Sequence, residues 1–218
     1  EQVISYSRRF GISAEMMQNL TTCLGSLSVT LQEMLSAYGV FANQGRLVKP
    51  IYVLKVEDQD GNILESSVPE LQQVTSEETA FLMSNLLQDV VQRGTGRRAR
   101  AIGRPSAGKT GTTNDSVDAW YIGYIPQLLT GVYVGFDQPR NMGKSETGSR
   151  AAAPIWISFM KNAVANLPTE QFPQPPGITT IKIHKSGRRA TACDKNDDIH
   201  EEHYKSGTEP VLDLSVSG

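Results

Sequence analysis

No run of apolar residues in this 218-residue sequence approaches the length needed to cross a bilayer, and nothing at its start has the make-up of a secretory signal. Cysteine is nearly absent. Cys23 and Cys193 lie far apart, define no disulfide framework and read as unpaired thiols, so the redox compartment stays open. A strong charge of either sign is missing too, and the net charge of −2 makes no general case for nucleic acid as a partner. Internal repeats are absent. So is an initial methionine: the chain starts at Glu1, and EQVISYSRRFGI reads as the middle of a helix followed by its glycine stop. The expectation is a sequence that starts inside a domain.

What remains is an ordinary globular composition, 39% apolar and 20% charged, long enough for one sizeable domain or a domain plus an appendage. Val29-Thr30-Leu31-Gln32-Glu33-Met34 predicts a helix start with a Thr30–Glu33 capping box and a Val29–Met34 staple, and Gly45 predicts the stop. Ile51 to Val56, the turn signal Asp60-Gly61 and Ile63-Leu64 predict a hairpin. Thr75-Ser76-Glu77-Glu78 reads as a second capping box. It opens a helix whose face carries Leu82, Met83, Leu86, Leu87 and Val90, and Gly94 ends it. Arg93 to Pro105 reads as a basic loop. Ala119 to Ile125 and Leu128 to Phe136 predict adjacent antiparallel strands, and a helix starting near Pro154 carries Ile155, Trp156, Phe159, Met160 and Ala163. Phe172 to Gly177 breaks regular structure, leaving a polar tail with one strand, Thr179 to Ile183. The sum is an α+β fold, an antiparallel sheet packed with helices.

The chemistry centres on Gly103 to Thr113. Gly103 to Thr110 fits the phosphate-loop spacing, but that loop must follow a buried strand and open a helix. The arginine-rich approach and the run Gly111-Thr112-Thr113-Asn114-Asp115 supply neither. The same segment, read as Lys109-Thr110-Gly111-Thr112, resembles the Lys-Thr-Gly strand of penicillin-recognising serine enzymes. On that reading an edge strand offers its backbone to a peptide. Lys109 brings a positive charge, and the hydroxyls of Thr110 and Thr112 bind a terminal carboxylate. Gly111 admits close approach, and the Thr112 N–H supplies half an oxyanion hole.

The surroundings are more specific than the three letters. Val90 to Gly96, Gly103-Arg104-Pro105, Lys109 to Asn114, Asp118 to Tyr124 and Thr130 to Asp137 closely resemble bifunctional class A penicillin-binding proteins. So do Leu24-Gly25-Ser26, Tyr38 to Asn43, Pro154-Ile155-Trp156 and Gly207-Thr208-Glu209-Pro210. The resemblance implies a β-lactamase/transpeptidase-like fold and D,D-transpeptidase activity on peptidoglycan stem peptides through a serine acyl-enzyme, with inhibition by β-lactams. It also implies a place outside the cytoplasmic membrane (the periplasm), with a glycosyltransferase domain and the only membrane anchor upstream, and no cofactor. A β-lactam sensor on the same scaffold, or a serine β-lactamase or carboxypeptidase, stays open.

Family members place their nucleophile in Ser-x-x-Lys, followed by Ser-x-Asn, ahead of Lys-Thr-Gly. Ser-x-Asn occurs nowhere here. Ser106-Ala107-Gly108-Lys109 overlaps the strand and follows Pro105, and Ser158-Phe159-Met160-Lys161 comes too late, inside a packing helix. The expectation is that the nucleophile serine and its lysine lie upstream of this chain, which alone is inactive. Residues 1–167 are then the C-terminal half of the transpeptidase domain, and residues 168–218 a Pro-rich linker and polar tail. Two clusters stay outside this reading. Cys193, Asp194, Asp197, Asp198, His200 and His203 lack zinc or calcium spacing and read as a solvated tail with no metal. Arg93, Arg97, Arg98, Arg100 and Arg104 read as a solvated loop, with an anionic partner as the alternative.

Overall fold

The computed structural model describes residues 1–25 and 27–211. Ser26 of the Leu24-Gly25-Ser26 match and residues 212–218 of the tail lie outside the described residues. Helix α1 (Gln2–Arg9) buries no side chain and is followed by Gly11 at φ 87°. Helix α2 (Leu31–Ala42) starts on the expected box. Glu33 N donates to Thr30 Oγ1 at 3.1 Å, and Thr30 N donates to Glu33 Oε2 at 2.9 Å. Gln44 (φ 54°) and Gly45 (φ 85°) then reverse the chain. Gly45 is required there twice over, since any Cβ would also collide with the Thr75 backbone carbonyl.

That reversal feeds a strand pair the sequence pattern does not reveal, β1 (Arg46–Val48) antiparallel to β4 (Leu71–Gln73). The hairpin between them is shorter than expected: β2 (Lys55–Glu57) pairs with β3 (Ile63–Ser66), and Ile51–Leu54 stay outside it. Extending the Lys55–Ser66 register sets Tyr52 opposite Pro69, which has no N–H to continue the ladder. Helix α3 (Glu77–Gln92) is capped by Ser76, one residue later than the box expected from Thr75. Ser76 Oγ accepts from Thr79 N at 3.3 Å. Its buried stripe is Ala80, Ser84, Leu87 and Val91, so of the expected face only Leu87 is fully inside and Leu86 is 55% exposed. Small Ala80 and Ser84 let the helix lie close to the sheet, and Ser84 Oγ bonds Tyr124 Oη at 2.9 Å. The basic loop contains a 3-10 turn, Arg97–Ile102, anchored by fully buried Ala99.

The central sheet has the order β5-β6-β7, antiparallel throughout, from β5 (Ala107–Thr112), β6 (Ala119–Ile125) and β7 (Leu128–Val134). A π-helical turn, Gly148–Ala152, leads into α4 (Ala153–Ala163), with Pro154 in its first turn as expected. Helix α4 covers one sheet face. Trp156 and Met160 are fully buried against Tyr121 and Ile125, and Trp156 Nε1 donates to Gly123 O at 3.3 Å. Ile155 and Phe159, expected on the same face, stay half exposed. The other face is closed by Leu87 of α3, Tyr38 and Phe41 of α2, and Phe172, all grouped around Ala107 and Tyr124. Burying apolar area on both faces holds β6 rigid.

In the tail two strands form where one is expected: β8 (Ile178–His184) pairs with β9 (Ile199–Lys205). Ile178, Ile181 and Ile183 are buried, and Lys205 Nζ reaches Thr79 Oγ1 of α3 at 2.8 Å. The pattern Ile-His-Glu-Glu-His-Tyr-Lys hides β9, because its partner strand contributes the apolar face.

Candidate functional site

Strand β5 lies at an edge of its sheet, so half of its backbone groups have no ladder partner among the described residues. Which half follows from one bond. Thr113 N donates to Asp118 O at 3.1 Å, toward β6. Backbone direction alternates along a strand, so Lys109 and Gly111 also point to β6, and Thr110 and Thr112 point to the open edge. The Thr110 carbonyl accordingly accepts Lys109 Nζ at 2.9 Å, and the Thr112 N–H faces outward.

The site side chains are held from several elements. Thr110 Oγ1 lies 2.8 Å from Thr95 Oγ1, just beyond the end of α3. Thr112 Oγ1 accepts from Gly148 N at 3.1 Å, which leaves its own O–H free to donate. Gly148 is a site residue that sequence reasoning misses. A Cβ there would stand 2.6 Å from Gly111 O, so only glycine lets the π-helical turn lie against the strand. Its only sequence signal is position, one glycine ahead of the small-residue run Ala151-Ala152-Ala153. At Gly111 a Cβ would come within 3.1 Å of Trp120 Cβ, a tight contact with the neighbouring strand. Beneath Gly108, the fully buried Tyr121 ring brings its hydroxyl to within 2.6 Å of where a Cβ would sit. Burial pushes the Tyr121 hydroxyl pKa well above its ordinary value, so it stays protonated.

A groove of about 840 Å³ runs along Lys109 to Thr113, between the sheet, α2 and the segment ahead of α2. Met34 and Tyr38 of α2 and Leu24 and Leu27 of that segment supply apolar wall. At the far end the Trp120 and Tyr133 rings lie 4.8 Å apart, and Tyr133 Oη donates to Asp118 Oδ1 at 2.8 Å. That hydrogen bond, then burial, raise the Tyr133 pKa.

The competing sequence matches fall elsewhere. The Gly103 to Thr110 spacing forms no phosphate cradle, because Ala107–Thr112 is strand where that loop would open a helix. Ser106 is buried at 1% exposure, its hydroxyl without a hydrogen-bond partner among the described residues, and Ser158 sits on α4. Neither lines the groove. Arg93 pairs with Asp89 at 2.6 Å and Arg104 reaches Leu167 O at 3.3 Å, while Arg97, Arg98 and Arg100 are exposed. In the tail, Asp194 pairs with Arg188, Asp198 with Lys185 at 2.8 Å, and His203 Nδ1 with Thr180 Oγ1 at 2.8 Å. Among the described residues no cluster of His, Cys, Asp and Glu is arranged to hold a metal, and no helix is long and apolar enough to cross a membrane.

Residues 8–161 match the family model of the penicillin binding protein transpeptidase domain. Penicillin-binding protein 1A of Aquifex aeolicus is 36% identical over 215 residues, covering 99% of this chain and 29% of its own length. Among solved structures, penicillin-binding protein 1A from Haemophilus influenzae superposes with a TM-score of 0.85 at 30% identity, over 95% of this chain and 37% of that one. PonA1 from Mycobacterium tuberculosis, solved in complex with penicillin V, gives a TM-score of 0.67 at 27% identity, over 80% of this chain and 52% of that one. The chain spans about three-tenths of the length of the curated relatives it matches.

Proposed function

This chain belongs to the penicillin-binding protein transpeptidase family, and we propose that it supplies the substrate-binding strand of a serine D,D-transpeptidase that cross-links peptidoglycan stem peptides. The observation that carries the reading is the open edge of β5, with the backbone of Thr110 and Thr112 turned outward beside the Lys109 side chain. A stem peptide ending in D-Ala-D-Ala adds to that edge as a further strand. Its terminal carboxylate meets the Lys109 charge and the hydroxyls of Thr110 and Thr112. Gly148 and Thr95 fix the rotamers of those two threonines.

The attacking serine, with its lysine, comes from a segment of the protein outside these residues, since no serine of a Ser-x-x-Lys match reaches the groove. The serine oxygen bonds the penultimate D-Ala carbonyl, and the Thr112 N–H donates to the oxyanion that develops. One such donor is worth about 3 kcal/mol at the transition state. The C–N bond then breaks, the terminal D-Ala leaves carrying a proton, and an acyl-enzyme remains. An amine of a neighbouring stem peptide attacks that ester, forms the cross-link and returns the proton to the serine. β-Lactams enter the same site and stop at the acyl-enzyme, in keeping with the penicillin V complex of the relative PonA1. The reaction takes place on the outer face of the cytoplasmic membrane, with the anchor elsewhere in the protein.

Intact mass of the full-length protein before and after penicillin tests this. One added drug mass, mapped to a serine outside these 218 residues, is the expected result. An adduct on Ser106 or Ser158 overturns the assignment of the nucleophile, and no adduct at all removes the acyl-enzyme reading.

A further inference from the structure

Only two side chains among the described residues lining the groove carry a formal charge, and their signs are opposite: Lys109 and Asp118. Lys109 sits on β5, and Asp118 stands opposite Thr113, where β6 begins. Four residues of strand separate their levels, roughly 13 Å at about 3.3 Å per residue. Lys109 spends one donor on its neighbour's carbonyl, within its own strand. Asp118 has Tyr133 as its side-chain hydrogen-bond partner, and among the described residues no cation pairs with it. A carboxylate turned into a groove without a counter-ion is one whose counter-ion arrives with the ligand.

The two rings beside it point to the same chemistry. Trp120 and Tyr133 both line the groove with Asp118, their rings at tilted planes 4.8 Å apart and the Tyr133 hydroxyl on the carboxylate. Rings and a carboxylate together make a setting for an ammonium group. The Tyr133 hydroxyl holds one Asp118 oxygen in place and leaves the other for the ligand.

We propose that Asp118, Trp120 and Tyr133 form a subsite for an ammonium group of the substrate, reading a positive charge roughly 13 Å from the carboxylate bound at Lys109. The inference rests on the transpeptidase reading and deepens it, naming a dipolar peptide as the ligand. Two residues of extended peptide cover about 7 Å. A lysine-length side chain on the residue two before the C-terminal one covers the rest, so the donor peptide itself can carry the ammonium. The incoming acceptor amine is the other source of the same chemistry.

The test uses the full-length protein and three peptides ending in D-Ala-D-Ala. They differ only at the residue two before the C terminus, which is lysine, norleucine or glutamate. The lysine peptide acylates the unaltered protein faster than the norleucine peptide by a factor on the order of ten, the scale of one hydrogen bond to a charged group. Asp118→Asn removes that ratio, and Asp118→Lys reverses it in favour of a glutamate-bearing peptide. Each ratio is internal to one variant, so a loss of folded protein cannot imitate it. If the ammonium belongs to the acceptor, the donor ratio is near one and Asp118→Asn instead raises the acceptor KM in acyl-enzyme release by a similar factor. Indifference to both Asp118 variants in both arms overturns the subsite. A protein that takes up no penicillin loses the transpeptidase reading itself, a separate outcome.

Discussion

Two stretches of this chain read alike as sequence and end in opposite surroundings. Ile51 to Leu64 and Ala119 to Val134 are both rich in aromatic and β-branched residues around a turn. In the second, Ala119, Tyr121, Tyr124 and Ile125 are at most 1% exposed, under α4 on one face and α2 and α3 on the other. In the first, Tyr52, Val53, Leu54, Ile63 and Leu64 are all more than half exposed, and every residue of β2 and β3 lies open. Propensity therefore selects extended backbone in both places, while packing on two faces makes only one of them a scaffold. Strand β5 is hydrogen-bonded to the scaffold strand along its whole length, Ala107 to Thr112 against Tyr124 to Ala119. The edge proposed to accept a peptide is backed by the strand packed on both faces.

The sharpest way to break this contrast is to hollow the scaffold. Trp156 is fully buried, stacks edge-on against Tyr121 at 5.1 Å and bonds the Gly123 carbonyl. Trp156→Ala is expected to lower the unfolding free energy by about 3–5 kcal/mol in urea titration, the range for large aromatic truncations in cores. A loss below about 1 kcal/mol would mean the sheet is not held from this side.

Legibility follows the same division. The β6–β7 hairpin, the Thr30–Glu33 box and the Lys109 to Thr112 strand could be read directly, because each is a local pattern with its own physical cause. The buried stripe of α3 could not. Ala80 and Ser84 face inward because the sheet comes close, and periodicity of large apolar residues does not encode proximity. Strands β1, β4 and β9 escape for a related reason, since each has an unremarkable sequence and is defined by a distant partner. At the site the motif residues were legible and their supports were not. Thr95 and Gly148 reach Thr110 and Thr112 across 15 and 36 residues of sequence.

A local polar device gives a smaller effect than the core. Glu33 accepts from Ser13 Oγ at 2.6 Å, from Thr30 N at 2.9 Å and from Ser13 N at 2.8 Å, tying the segment after α1 to the start of α2 beside the groove. The Ser13 side chain first, then the backbone donors, hold the Glu33 pKa at about 2, below its ordinary 4.5. A depressed carboxylate stabilises the fold fully above the unfolded-state value and loses that contribution as pH falls toward the folded-state one. Glu33→Gln should therefore cost about 1 kcal/mol at pH 7, the scale of a capping interaction in a solvent-screened setting. Its difference from the unaltered protein should shrink as pH falls from about 4.5 to about 2. A difference that stays constant over that window would show that the carboxylate's charge plays no part.

The smallest expected effect falls on the exposed hairpin, and it tests the comparison from the other side. Leu64 is 68% exposed, and among the described residues β2 and β3 pair with each other and with no other strand. With so little area removed from water, Leu64→Ser should shift unfolding by no more than about 0.5 kcal/mol in either direction. The same substitution on the scaffold side, at Ile125, removes a side chain that is 1% exposed and should cost several times more, on the order of 3 kcal/mol. Should Leu64→Ser instead cost about 2 kcal/mol in the full-length protein, the hairpin is covered there by another part of the molecule. Its apolar residues would then belong to an interface, and the two stretches would share one mode of stabilisation with their cover drawn from different places.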